Sequence, residues 1–219
     1  MKLRGVPPLV LVPDELARRQ ERYTMLAPAP VEIEMVNLTQ GPRRLETDED
    51  VRLSEEEVYN EVMRTPWQSY DAVLLDCVLD PALERLEHDA PVPVIGITRV
   101  SAGYLAGLGH RFAAVARNAA IAKELAARLV DFGHEERLAA VEVLDLSFED
   151  IARPESWHAA LEPIVAKLGP GAVDSVLNGC SAVEVREADG PSVVEPMALA
   201  LELTAAAARR GLLGARGTN

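Results

Sequence analysis

Cysteine is scarce: Cys77 and Cys180 are the only two in 219 residues. Two thiols are too few for a disulfide scaffold or a structural zinc site, and no C-x-x-C pair is present to act as a redox dithiol. Basic charge is short as well, with 22 Lys and Arg against 35 Asp and Glu and a net charge of −13. An acidic surface repels phosphate backbones. No basic stripe interleaved with aromatics exists in a chain whose aromatic content is 4%, so nucleic acid is excluded as an expected partner. No apolar run reaches the roughly 18 to 20 residues of a membrane span, and Met1-Lys2-Leu3-Arg4 leads into a strand-like run without a signal-peptide cleavage pattern. These absences predict a soluble cytoplasmic protein. His88, His110, His134 and His158 are too scattered for joint metal ligation, so they are read as solvated surface residues and no metal is expected. The glycine-rich stretch Gly103–Gly109 lacks a Walker lysine and does not directly follow a strand, which makes it the end of a helix and a turn. Trp67, Trp157 and Tyr70 are read as packing or interface residues.

What is present is globular: 48% hydrophobic and 26% charged residues. Short apolar runs alternate with amphipathic stretches, the pattern of an α/β fold in which helices cover parallel strands. The apolar runs predict strands at Pro8–Val12, Val31–Val36, Ala72–Asp76, Val94–Ile97, Phe112–Ala116, Ala140–Leu144, Val173–Leu177 and Val193–Val194. Ser54 and Glu57 form the pattern of a capping box and predict a helix start there. Ala119–Val130, stopped by Gly133, and the alanine-rich Met197–Arg209 read as two more helices. The polar stretch Leu38–Arg52 has neither period; it is long for a connection and is a candidate lid segment.

Comparison of the chain with itself shows a repeat. Asp71-Ala72-Val73-Leu74-Leu75-Asp76-Cys77 and Asp174-Ser175-Val176-Leu177-Asn178-Gly179-Cys180 share the pattern D-x-V-L-x-x-C. Each copy reads as a buried parallel strand whose cysteine falls just past its carboxyl end, the edge at which open α/β sheets bind ligands. Two readings of the thiols stand at this point. Cysteine often serves as a small buried hydrophobe. Alternatively, two thiols on opposite sides of a carbon acid can remove a proton from one side and return one from the other, inverting a stereocentre without any cofactor. The reference thiol pKa of about 8.5 is lowered by amides at a helix N-terminus, and both cysteines precede expected helix starts.

At these residues the chain resembles the Asp/Glu/hydantoin racemase superfamily, its hydantoin branch above all. The resemblance rests on Asp71-Ala72-Val73 into Cys77, on Asp80-Pro81-Ala82-Leu83, on Val92–Ile97, on Leu108-Gly109-His110-Arg111-Phe112, on Leu177–Ala182 around Cys180, on Val193-Val194-Glu195 and on Gly41-Pro42 with Leu45-Glu46. It implies two pseudo-symmetric α/β lobes, 1–98 plus 197–219 and 99–196, each a parallel sheet flanked by helices, with the active site in the cleft of the two. It further implies that Cys77 and Cys180 are the acid/base pair. Backbone amides around Val78–Leu79 and Ser181–Ala182 would then stabilise enolate-like charge. The expected partner is a small carboxylate or carbonyl substrate, with no cofactor.

The departures are specific. Where the hydantoin branch carries Asn-Pro-Asn-Thr, this chain has Val12-Pro13-Asp14-Glu15; Pro13 is kept and Asp14 is either a substrate contact or a helix cap. A threonine pair of the family is matched by Ala116-Arg117, followed by Asn118, and Arg117 is either a bidentate carboxylate holder or a solvated helix-start residue. Asp76 precedes Cys77 where a small neutral residue is usual, and strand alternation points it away from the thiol. The segment after Cys180 is short and polar, with Glu184, Arg186, Glu187 and Asp189, so this wall is either more open or completed by a partner chain in a homo-oligomer. The leading expectation is a racemase or epimerase. A decarboxylase or cis-trans isomerase of the same superfamily, and a non-catalytic small-acid-binding relative, are the alternatives.

Overall fold

The computed structural model describes residues 1–168, 171–185 and 190–213. They form β1 (Lys2–Val6), α1 (Pro13–Leu26), β2 (Glu32–Met35), α2 (Asp48–Met63), β3 (Ala72–Leu75), α3 (Leu83–Asp89), β4 (Val94–Gly96) and α4 (Ile97–Gly107). The chain continues with β5 (Phe112–Ala116), α5 (Ala119–Asp131), β6 (Leu138–Val143), α6 (Pro154–Leu168), β7 (Ser175–Gly179), β8 (Ser192–Val194) and α7 (Pro196–Arg209). Two compact units result, Met1–Ile97 with Met197–Asn219, and Thr98–Pro196. Among the described residues no helix is long and apolar enough to cross a membrane.

Each unit holds one four-stranded sheet in which every pairing is parallel, in the orders β2-β1-β3-β4 and β6-β5-β7-β8. Counted within its own unit, each sheet has the same order. The central strands are apolar along their whole length because helices cover both faces: β3 reads Ala-Val-Leu-Leu and β5 Phe-Ala-Ala-Val-Ala, every residue buried. The edge strand β2 alternates exposed and buried positions instead. In the second unit α6 sends Trp157, Leu161 and Val165, spaced four apart on one helical face, into a core with Val115, Val176 and Val183. His134 sets its ring edge-on to Phe112, and His110 lies within 2.6 Å of the Ser175 hydroxyl at the amino end of β7. These two histidines are therefore packed parts of the unit rather than the solvated residues expected.

Two further expectations are corrected. The first strand is Lys2–Val6, not Pro8–Val12. Its Arg4 does not interrupt it because the guanidinium is buried against Glu61 of α2 at 2.6 Å. The second helix starts at Asp48, six residues before Ser54. Thr47 and Asp50 form the capping box that Ser54 and Glu57 were expected to form, while the Ser54 hydroxyl donates to the Pro8 carbonyl at 2.7 Å. The connection proposed from the sequence as a candidate lid is thereby shortened, and it is tied down: Leu38 and Leu45 are buried, and Val10 N–H donates to the Pro42 carbonyl.

Candidate functional site

In both sheets the strand order reverses at one place. A ligand crevice at such a point lies outside the carboxyl ends of the two strands that flank it. In the first unit those strands are β1 and β3, in the second β5 and β7. All ten candidate residues from the sequence fall there. Pro13 and Asp14 follow the loop after β1, Cys77, Val78 and Leu79 follow β3, Arg117 and Asn118 follow β5, and Cys180, Ser181 and Ala182 follow β7.

The loop after β1 is fixed by a side chain from the next connection. Asn37 accepts from Leu11 N–H at 2.9 Å and donates to the Leu11 carbonyl at 2.7 Å, as a backbone neighbour would. Pro13 then opens α1 at a position where the missing N–H costs nothing. Asp14 is exposed in the first turn, and the cap position belongs to Val12, which makes no side-chain cap bond.

Cys77 is 5% exposed and forms no disulfide. The Leu79 N–H reaches its sulfur at 3.4 Å, an interaction that strengthens when the sulfur carries negative charge. The chain then turns sharply: Asp80 N–H donates to the Cys77 carbonyl, and Asp80 and Ala82 take left-handed backbone angles, φ 44° and 57°. Neither is glycine, so the turn stores strain of the kind concentrated at functional sites. The buried Asp80 carboxylate lies so close to Gly96 that a Cβ there would come within 2.5 Å of its Oδ2. Helix α3 begins only at Leu83, so the expected helix N-terminus directly after Cys77 is absent and the turn takes its place.

Behind this turn lies a cluster that sequence reasoning did not find. Asp76, fully buried, accepts from Arg19 Nη1 at 2.7 Å and from the Tyr23 hydroxyl at 2.6 Å. Arg19 also binds Glu15 at 2.8 Å. Glu15, Arg19 and Tyr23 are spaced four apart on α1 and share one face, so the helix is clamped to the end of β3. Asp76 is thus held by Arg19 and Tyr23 of α1. Burial works against the Arg19 charge, but Asp76, Tyr23 and Glu15 outweigh it and hold its pKa well above the ordinary arginine range. Burial, reinforced by the Asp76 carboxylate, pushes the Tyr23 hydroxyl well above its usual value.

The sign of the resulting pH effect follows from Tyr23. Its folded pKa exceeds the unfolded value of about 10, so above that pH the unfolded chain releases a proton that the folded chain keeps. The stabilisation is complete below pH of about 10 and is lost as pH rises toward the folded pKa. Tyr23→Phe is expected to flatten this alkaline fall, as read from urea midpoints over a pH series; identical slopes in both proteins would contradict the assignment.

In the second unit Arg117 is 2% exposed, donates from Nη1 to the Leu146 carbonyl at 3.1 Å and stands over the Phe148 ring at 5.8 Å. It is therefore not the solvated residue of the alternative reading. Asn118 caps α5 by accepting from Ile121 N–H at 2.9 Å. Cys180 is half-buried against the unit's core, and Ser181 and Ala182 are buried in the turn that follows. Gly179 must lack a side chain, since a Cβ would collide with the Val115 carbonyl of β5. Of the polar segment after Cys180, Glu184 is exposed, whereas Arg186, Glu187 and Asp189 lie outside the described residues. Among the described residues no group of three or more His, Cys, Asp or Glu side chains could hold a metal ion.

Comparison with known proteins agrees with this fold. The family model for Asp/Glu/hydantoin racemases matches residues 15–204. A hydantoin racemase of Rhizobium meliloti is 26% identical over 212 residues, covering 91% of this chain and 83% of its own. Among solved structures, the allantoin racemase of Pseudomonas fluorescens superposes with a TM-score of 0.86 at 20% identity, over 99% of this chain and 94% of its own. The allantoin racemase of Klebsiella pneumoniae gives 0.81 at 18% identity, over 98% and 90%. The likeness to these structures concerns the fold.

Proposed function

Because the chain belongs to the Asp/Glu/hydantoin racemase family, we propose that it is a cofactor-independent racemase or epimerase, with Cys77 and Cys180 as its paired base and acid. The observation that carries this reading is the placement of one thiol beyond the carboxyl end of the matching central strand, β3 or β7, in two sheets of identical strand order. The substrate is a small carbon acid whose stereocentre adjoins a carboxylate or carbonyl. The names of the hydantoin and allantoin racemases make cyclic ureides the first compounds to try.

In the proposed reaction one cysteine, as thiolate, takes the α-proton and the C–H electron pair passes into the neighbouring carbonyl as an enolate. The other cysteine, as thiol, delivers its proton to the opposite face. Inversion thus leaves the two sulfurs with exchanged protonation states, and the reverse enantiomer resets them. Backbone N–H groups at Val78–Leu79 and Ser181–Ala182 stabilise the enolate oxygen. Arg117 orients the carboxylate or carbonyl, the task of the hydroxyl pair it replaces.

The test is isotopic. Each enantiomer of a 5-substituted hydantoin, of allantoin and of free amino acids is incubated with the protein in deuterium oxide without added cofactor. The expected result is loss of optical rotation with deuterium entering only the α-position. Release of carbon dioxide, isomerisation of an alkene substrate, or no exchange across the panel would overturn the reading.

A further inference from the structure

Strand β7 carries an amide where its neighbours are apolar or small. Asn178 is fully buried and pairs in register with Val115 of β5. Its Nδ2 donates to the Cys180 carbonyl at 2.9 Å and to the Val183 carbonyl at 3.3 Å. Both partners are carbonyl oxygens, so the nitrogen end of the amide must face them. The Val183 N–H closes the same turn on the Cys180 carbonyl at 3.4 Å. Residues 180–183 are therefore held by one NH₂ group at both ends.

The other end of the amide is left without a hydrogen bond: Asn178 Oδ1 is buried and has no partner among the described residues. A buried unpaired acceptor destabilises the fold, and valine at this strand position would avoid that loss. Among the described residues the amide's hydrogen bonds go to the cysteine turn alone. A trans peptide unit points its N–H opposite its C=O. Turning the Cys180 carbonyl toward Asn178 thus aims the Ser181 N–H the other way, and fixes the Cα from which the thiol projects.

We infer that Asn178 is a positioning residue for the Cys180 half of the proton-transfer pair, holding the 180–183 turn so that the Cys180 thiol and the Ser181 N–H keep one direction. This rests on the racemase reading above, but its test does not need substrate. Asn178→Val removes the staple together with the unpaired Oδ1, and takes the Nδ2 donor away from the Cys180 and Val183 carbonyls. Asn178→Asp keeps the shape and sets carboxylate oxygens against two carbonyls. Iodoacetamide alkylation of the full chain, followed at each cysteine separately by peptide mass spectrometry over a pH series, gives the rate at Cys180 with Cys77 as internal reference.

In Asn178→Val the Cys180 rate is expected to change by about three- to tenfold, the effect of losing hydrogen bonds of ordinary strength, while the Cys77 rate stays as it was. In turnover, kcat is expected to fall with KM little altered. Asn178→Asp is expected to shift Cys180 in the same sense and further. An unchanged Cys180 rate in both variants, or a parallel change at Cys77 and Cys180, would overturn the inference in favour of a merely structural role. Since alkylation is independent of catalysis, an unaltered chain that fails to exchange deuterium overturns the racemase reading alone.

Discussion

Serine at either cysteine is expected to abolish inversion while leaving half of the exchange chemistry. A positioned general acid or base contributes about 10²–10⁴ in rate, and a hydroxyl is a far weaker acid than a thiol with its reference pKa of about 8.5. Cys77→Ser and Cys180→Ser should each lower racemisation by at least about 10³. Each variant retains one thiol, which can still take the α-proton from the enantiomer that presents it and return a solvent deuteron to the same face. Deuterium is then expected to enter one enantiomer only in Cys77→Ser and the opposite one only in Cys180→Ser, with no inversion in either. Equal loss from both enantiomers would point to a site that is merely distorted. Full activity in either variant would sink the two-thiol mechanism. Cys77 is 5% exposed, so a thermal melt is needed beside the assay to separate lost chemistry from lost fold.

Arg19→Met is expected to give the largest loss of stability. The Arg19 and Asp76 side chains are 7% and 0% exposed at a separation of 2.7 Å. Both charges have given up most of their water, and removing one partner strands the other. Breaking a buried pair in this way costs about 3–5 kcal/mol, which for a chain of this size lowers the melting temperature by an amount of order 10 °C. Asp76→Asn keeps an acceptor for Tyr23 but not the charge that Arg19 requires, so it should destabilise as well. The double variant Arg19→Met/Asp76→Leu is expected to recover part of the loss, because no charge is then left buried. If Arg19→Met melted within the range of a surface ion pair, about 1 kcal/mol, the cluster would be an incidental contact rather than the clamp of α1 onto β3.

The cluster also shows what could be read from the sequence and what could not. The repeated D-x-V-L-x-x-C places both central strands and both thiols because its information is local: an aliphatic run and a fixed offset to the cysteine. The residues that restrain Asp76 are 57 and 53 positions away in the chain, and no local pattern ties them to it. The spacing of Glu15, Arg19 and Tyr23 on one helical face was visible, but nothing in the sequence announced that this face looks inward.

The misplaced first strand has the same origin. Lys2 and Arg4 make Lys2–Val6 look less strand-like than the apolar Pro8–Val12, until Glu61 neutralises Arg4 from α2. The start of α2 was expected at Ser54 and Glu57. The box fell to Thr47 and Asp50 instead because the Ser54 hydroxyl found its acceptor in the loop after β1. Asn178 lies one residue past the strand expected from the sequence, Val173–Leu177, and the two carbonyls it serves became visible only with the strand's true end and the turn in place.

The order of the chain adds one consequence of the discontinuous first unit. Its four strands are complete at Gly96, yet the helix that buries Met197, Ala200, Leu201 and Ala205 follows only after Thr98–Pro196 has passed. During synthesis, which proceeds from the amino end at about 5–20 residues per second, the second unit can therefore mature as an uninterrupted segment. The first must keep the apolar surface meant for α7 uncovered for all of that time. The nascent chain is thus most exposed to aggregation while its first unit waits for α7.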